Sequence, residues 1–457
     1  MIFSSLPFLI FLPIVLLLVA LLKQEQHRRI AIFAASLFFY GWWDWRFCFF
    51  LVAASTIDYW LALKIQQAAP IQKRRWLLLS LASNLGILAA FKYVGWLSHN
   101  INQLTGWNLP AVDIPLPLGI SFFTFQAMSY TIDVYRGQFN PTKRWFDFSF
   151  SMSFFPHLIA GPIVRASHFI PQLDKEHPIE RDNLLDGLAT FSKGFLKKTL
   201  LADQFAVCAD VVFANPAFFS SGTVWLGVAA YTAQIYYDFS GYTDMAIGLA
   251  RMFGFQFPNN FDHPYLSGNI TDFWRRWHIS LSSWLRDYLY ISLGGNRKGR
   301  LRTYVNLALT MLLGGLWHGA NWTFVVWGGL HGLALAMHKL ISERWPNPGQ
   351  VRRLLGVPLT LLFVMVCWVF FRAPSFDVAS IVLRKMAFID SVGCDWPYVQ
   401  ALLGLGAAIG AHVYVAFDRR LAFDFRKPIF LTILVVALII DLMFAPTSHG
   451  AFIYFQF

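Results

Sequence analysis

Apolar runs of about 20 residues, enough for a helix to cross a bilayer, recur along this chain with short clusters of lysine and arginine between them. Candidate spans begin near Ser5, Ile30, Phe47, Trp76, Leu116, Leu200, Val224, Tyr304, Trp322, Leu354, Ala401 and Pro428. They predict an all-α polytopic membrane protein with about 11–12 transmembrane helices. The basic clusters lie at Lys23–Arg29, Lys73–Arg75, Lys143–Arg144, Lys197–Lys198, Arg297–Arg302, Arg352–Arg353 and Arg419–Lys427. With those spans all of them fall on one side, which the excess of cations marks as cytoplasmic. The loops Ser98–Asp113 and Asn215–Gly222 carry no Lys or Arg and are expected outside. Positive charges follow the first apolar run, the reverse of a secretory signal peptide, so it is expected to be an uncleaved span with its N-terminus outside.

Composition removes the soluble alternatives. The chain is 56% hydrophobic and only 14% charged, whereas soluble domains run near 45–50% and about 25%. The net charge of +12 is then the cation bias of a membrane protein, and no nucleic-acid partner is expected. The four cysteines are far apart and form no CxxC pair, which supports neither a disulfide framework nor a thiolate zinc site. No stretch outside the spans is long enough for a separate soluble domain. The expected organisation is one integral-membrane domain over 1–457, with N-terminal spans in 1–135, a core in 136–345 and C-terminal spans in 346–457. The apolar stretch Phe146–Pro162 contains His157 and ends in Gly161-Pro162. It reads as a re-entrant candidate, a kind of backbone tolerated at membrane depth only inside protein or beside an aqueous cavity.

Ionisable groups within apolar segments are costly and mark function or helix-to-helix bonding. Gln234, Asp238, Gly241 and Asp244 share about a third of a helix circumference; that stripe either lines a cavity or bonds helices together. Trp274, Trp277, His278, Leu281, Leu285 and Tyr288 follow the spacing of an amphipathic helix, with Arg275, Arg276, Ser283 and Arg286 on its other face. Such a helix either lies in the interface with its arginines at lipid headgroups or presents those cations to the phosphates of a nucleotide-like donor. His278 lies on the apolar stripe, where a core histidine and a catalytic one look alike. His318 ends an apolar span between Gly315 and Gly319. His331 and His338 follow on the next span, seven apart and on one face, beside Gly328, Gly329 and Gly332. Without HExxH or a thiolate, no metal is expected.

No G-x-S-x-G elbow, Walker A loop or G-x-G-x-x-G occurs, which leaves histidine acid–base chemistry in a membrane cavity, or an ion-coupled transporter using Asp238 and Asp244. The absence of an internal repeat argues against the transporter.

Together these segments resemble the membrane-bound O-acyltransferase superfamily, in particular its alginate O-acetylase membrane-subunit branch. The resemblance is carried by Met1–Ser5, Pro117–Gln126, Asp133–Gly137, Phe154–Ile163, Asp238–Asp244, Phe273-Trp274-Arg275-Arg276-Trp277-His278, Trp317-His318-Gly319-Ala320-Asn321-Trp322, Trp368–Arg372 and Ile453–Phe457. It covers nearly the whole chain and implies a ring-like helical bundle around a central tunnel in a bacterial inner membrane. It also implies His318 as the catalytic histidine and His278 as a second implicated one; beside them, Asn321 is expected to polarise the thioester carbonyl, Asp238 to orient an imidazole, and Trp317 to support the site.

The resemblance further implies a periplasmic acetyltransferase partner and a polysaccharide acceptor. Alginate-type exopolysaccharide ranks first, then peptidoglycan, then teichoic acid D-alanylation. No bound cofactor is expected; the expected co-substrate is acetyl-CoA, its phosphates near Arg275, Arg276, Arg297 and Arg300. Removing a hydroxyl proton during acyl transfer is work suited to a neutral imidazole near pH 7, so His318 is the expected general base, or the nucleophile of a two-step transfer.

Overall fold

The computed structural model describes residues 1–110, 114–345 and 350–396, with a few separate helical positions between 402 and 436. Among the described residues it is helical, apart from an isolated bridge between Phe219 and Cys394. The candidate spans at Ala401 and Pro428 and the final Ile453–Phe457 motif lie outside this description.

The chain divides into two compact units, Met1–Phe191 with Thr243–Pro258, and Ser192–Tyr242 with Asn259–Phe457. The first unit contains α1 (Leu6–Leu21), α2 (Glu25–Gly41), α3 (Arg46–Gln67), α4 (Pro70–Lys92), α5 (Val94–Thr105), α6 (Ile120–Tyr135), α7 (Trp145–Ser153), α8 (Phe155–Leu158) and α9 (Ala166–Phe169). A long helix then runs from α10 (Arg181–Leu196) through a π-helical segment (Lys197–Ala202) into α11 (Asp203–Ala214), and α12 (Ser221–Met252) follows it. The second unit continues with α13 (Ile270–Arg276), α14 (Ile279–Trp284) with a π-helical extension (Leu285–Tyr290), α15 (Arg300–His318), α16 (Trp322–Arg344), α17 (Gln350–Arg372) and α18 (Phe376–Met386).

Among the described residues three helices are long and apolar enough to cross a bilayer on their own, Arg46–Gln67, Trp322–Arg344 and Leu355–Arg372; α4 and α5, bent by 65°, make a fourth if they count as one span. Some of the other described candidates are shorter or charged: α1 has 16 residues, and α2 carries Glu25, Arg28 and Arg29. Leu200 does not open a span but lies inside the π-helical segment. On α1, Leu6, Ile10, Ile14, Leu17 and Leu21 are exposed while Phe8, Leu12, Val15 and Val19 are buried. A helix that is apolar on both faces is one that meets lipid on one side and protein on the other.

Between helices in lipid, hydrophobicity gives little preference for contact, so polar bonds and close backbone approach hold them together. In the first unit, Asp58 of α3 accepts from Ser80 Oγ (2.7 Å) and Asn84 Nδ2 (2.9 Å) of α4, and Ser80 Oγ is also hydrogen-bonded to Thr131 Oγ1 of α6 (3.0 Å). Gly119 starts α6 at φ +75, with a Cβ position only 2.3 Å from the Leu158 carbonyl oxygen. The re-entrant candidate is two short buried helices, α7 and α8, of 9 and 4 residues. His157 bonds there from Nε2 to the Ser151 carbonyl at 3.1 Å, while its buried Nδ1 meets no hydrogen-bond partner among the described residues.

In the second unit α15 and α16 form a hairpin whose backbones touch at Gly315 and Gly328. A Cβ on Gly328 would stand 2.3 Å from the Met311 carbonyl oxygen, whereas the nearest atom to one on Gly329 is a Leu312 methyl at 3.5 Å. Gly328→Ala is therefore expected to cost about 1–3 kcal/mol by overpacking and to lower the thermal midpoint in detergent. Gly329→Ala is expected to leave that midpoint unchanged; equal effects would contradict the packing described.

Candidate active site

His318 is the last residue of α15, at a turn that its neighbours enforce. Gly319 continues in an extended conformation, and a Cβ there would stand 2.1 Å from the Phe324 ring. Asn321 caps α16, its Oδ1 accepting from Thr323 N (3.0 Å) while Nδ2 donates to the Pro374 carbonyl (3.0 Å). One N–H of that amide is left for any other acceptor.

The His318 ring is 5% exposed and surrounded by aromatic rings: Trp317 at 4.9 Å, Trp327 at 5.1 Å and Phe371 at 5.1 Å, all close to perpendicular. Phe371 comes from the Trp368–Arg372 stretch of α17. That stretch is anchored where Arg372 pairs with Asp210 at 2.7 Å and lies over Phe213 and Tyr231.

His278 is fully buried, and its surroundings correct the sequence reading. The expected continuous amphipathic helix breaks at Trp277–His278: α13 ends at Arg276, His278 adopts φ +43, and α14 begins at Ile279. Left-handed backbone at a non-glycine residue is held only when its surroundings demand it. Asn260 supplies the demand. Its carbonyl accepts from Ile279 N (2.9 Å), and its Oδ1 accepts from Ser280 N (3.0 Å) and Ser280 Oγ (2.9 Å). The sequence pattern did not point to Asn260, because it acts 20 residues along the chain. The His278 ring meets Phe239 edge-on at 4.6 Å and lies 6.4 Å from Trp317, the residue that also flanks His318.

Asp238, expected to support an imidazole, is held by an ion pair. Lys198 Nζ lies 2.9 Å from Asp238 Oδ1 and 2.8 Å from Asp203 Oδ1, with all three side chains at most 3% exposed. In the sequence, Lys198 belongs to a Lys197–Lys198 cluster expected on the cytoplasmic side. It is instead a buried cation on the π-helical segment. The stripe that includes Gln234 and Asp238 packs against that segment, and Gly241 brings α12 within reach of the Gly194 carbonyl. Asp244, on the same stripe, belongs to the other unit. Of the expected donor-binding arginines, Arg275, Arg297 and Arg300 are exposed, and Arg276 pairs with Asp272 at 3.0 Å. Among the described residues no three His, Cys, Asp or Glu side chains lie together as a metal site.

Residues 145–374, which span both histidines and the aromatic walls around them, match the family model for membrane-bound O-acyltransferases. The chain belongs to the membrane-bound O-acyltransferase family. It is a multi-pass membrane O-acyltransferase. It is 46% identical over 406 residues to the "Probable alginate O-acetylase AlgI" of Pseudomonas putida, covering 87% of this chain and 81% of that one. It is 39% identical over 414 residues to the peptidoglycan O-acetyltransferase of Helicobacter pylori, covering 84% and 79%. With the teichoic acid D-alanyltransferase of Streptococcus thermophilus it shares 33% over 244 residues, half of this chain and 57% of that one.

Lys198→Met strands two buried carboxylates, and breaking a buried pair costs about 3–5 kcal/mol. The expected outcome is a sharp loss of folded protein on size-exclusion chromatography in detergent. Lys198→Met combined with Asp203→Asn and Asp238→Asn is expected to recover part of it. A single variant as stable as the wild type would contradict the ion-pair role.

Proposed function

We propose that this acyltransferase takes acetyl from acetyl-CoA on the cytoplasmic face and passes it across the inner membrane. There a periplasmic acetyltransferase partner completes O-acetylation of a cell-surface polysaccharide of the alginate type. The relatives' names support acetyl transfer to a polysaccharide, and the higher identity to the alginate proteins favours an alginate-type acceptor over peptidoglycan, with D-alanyl transfer third. The observation that carries the reading is the enclosure of one imidazole, His318, by side chains from the Trp317–Trp322 motif, the helix that follows it and the Trp368–Arg372 motif.

In the reaction, the acceptor hydroxyl gives its proton to the neutral His318 imidazole as its oxygen forms a bond to the acetyl carbonyl carbon. The carbon–sulfur bond breaks, and the proton leaves with the CoA thiol. A charge develops on the carbonyl oxygen during this step, and donors fixed nearby would stabilise it. His278 and the remaining Asn321 N–H are the candidates, with Trp317 as the wall that His318 and His278 share. Arg275, Arg276, Arg297 and Arg300 are assigned to the phosphates of the donor. A transporter in which Asp238 relays protons is disfavoured, because Lys198 already pairs with that carboxylate.

The test is the acetyl content of the polysaccharide from cells lacking the chromosomal copy and complemented with variants. His318→Gln keeps much of the ring's volume and is expected to lower acetyl transfer by at least about 10²-fold with an unchanged thermal midpoint. Acetylation at the wild-type level in that variant would overturn the assignment.

A further inference from the structure

The two histidines of α16 take no part in that chemistry, yet both reach α13. Trp274 Nε1 donates to His331 Nδ1 over 3.3 Å, and Thr271 Oγ1 is hydrogen-bonded to His338 Nδ1 over 2.8 Å. An indole N–H only donates, so His331 Nδ1 must be the unprotonated nitrogen and its neutral ring carries the hydrogen on Nε2. His331 is fully buried between Trp274 (5.1 Å), Trp327 (4.8 Å), Phe273 (6.2 Å) and Phe363 (5.5 Å).

Trp327 is also a wall of the His318 site, and its ring meets Trp274 at 5.8 Å. Trp274 lies four residues before His278. His331 thus stands between the segment that ends on one active-site histidine and the hairpin that carries the other. The seven residues of α13 are too few for a helix to hold its own course, so its direction is set by what it is bonded to. Trp274 and Thr271, on neighbouring turns, are bonded to one face of α16.

We propose that His331 is a positioning residue, with His338 as its second anchor: the Trp274–His331 bond fixes α13 against α16 and thereby sets where His278 and Trp327 stand around His318. This rests on His318 being the site of acyl transfer, and the experiment separates the two claims.

Acetyl transfer is measured in membrane vesicles as Vmax per molecule and apparent KM for acetyl-CoA, with His318→Gln alongside. His331→Phe keeps an aromatic ring and deletes the acceptor, Trp274→Phe deletes the donor, and His331→Asn returns an oxygen near the place of Nδ1. His331→Phe and Trp274→Phe are each expected to lower Vmax by about 10- to 100-fold and to leave apparent KM within about twofold. The double variant is expected to be no worse than either single one, since both remove the same bond, and His331→Asn to recover most of the rate. A wild-type Vmax in either single variant, losses that multiply in the double, or a His331→Asn no better than His331→Phe would overturn the proposal. If His331→Phe does not accumulate, Trp274→Phe against His331→Asn decides the same question. Wild-type transfer by His318→Gln would instead sink the catalytic assignment.

Discussion

Helices in lipid gain little by burying leucine against leucine, and this chain is held together where it departs from apolar packing. Asp58, Ser80, Asn84 and Thr131 join three helices of the first unit by hydrogen bonds. Lys198 joins Asp203 and Asp238 in the second. A buried cation with two carboxylates is expensive to form, so it is retained where the geometry it enforces matters more than the stability it returns. Here it fixes the turn of α12 that carries Phe239, the ring in contact with His278. The glycine contacts at Gly315 and Gly328 do the same for the hairpin that carries His318.

The surroundings of the two histidines differ. His318 ends a regular helix, and its ring is enclosed edge-on by aromatic side chains that offer shape and dryness rather than charge. His278 sits on a backbone corner at φ +43 that Asn260 braces, a conformation costing about 1–3 kcal/mol and characteristic of places where orientation matters more than economy. Trp317 flanks both rings.

What could be read from the sequence was contiguous. Trp317–Trp322 shows its turn through Gly319 and Asn321, and the apolar runs disclose a membrane protein because composition alone excludes a soluble core. The break at His278 was not legible: Trp274, Trp277, Leu281 and Leu285 keep helical spacing across it, and the cause is Asn260, distant in the chain. Lys198 misled for a similar reason. Beside Lys197 it looks like a solvated cation, and only the approach of Asp203 and Asp238 makes it an interior one. Asp58 reads as a single carboxylate in an apolar run, since its partners Ser80 and Asn84 lie on another helix. His331 and His338 were placed on one face of α16, but not the helix that this face meets.

Acyl transfer at His318 requires that an acyl thioester reach the ring despite its burial. The most direct measurement is an experimental structure of the protein with a non-hydrolysable acetyl-CoA analogue. The carbon in place of the thioester carbonyl is expected within about 3–4 Å of the His318 ring, with the nucleotide end among the exposed arginines. An analogue whose acyl end stays beyond about 10 Å, far outside any reactive distance, with Trp317, Trp327 and Phe371 still closed around the ring, would contradict acyl transfer at His318.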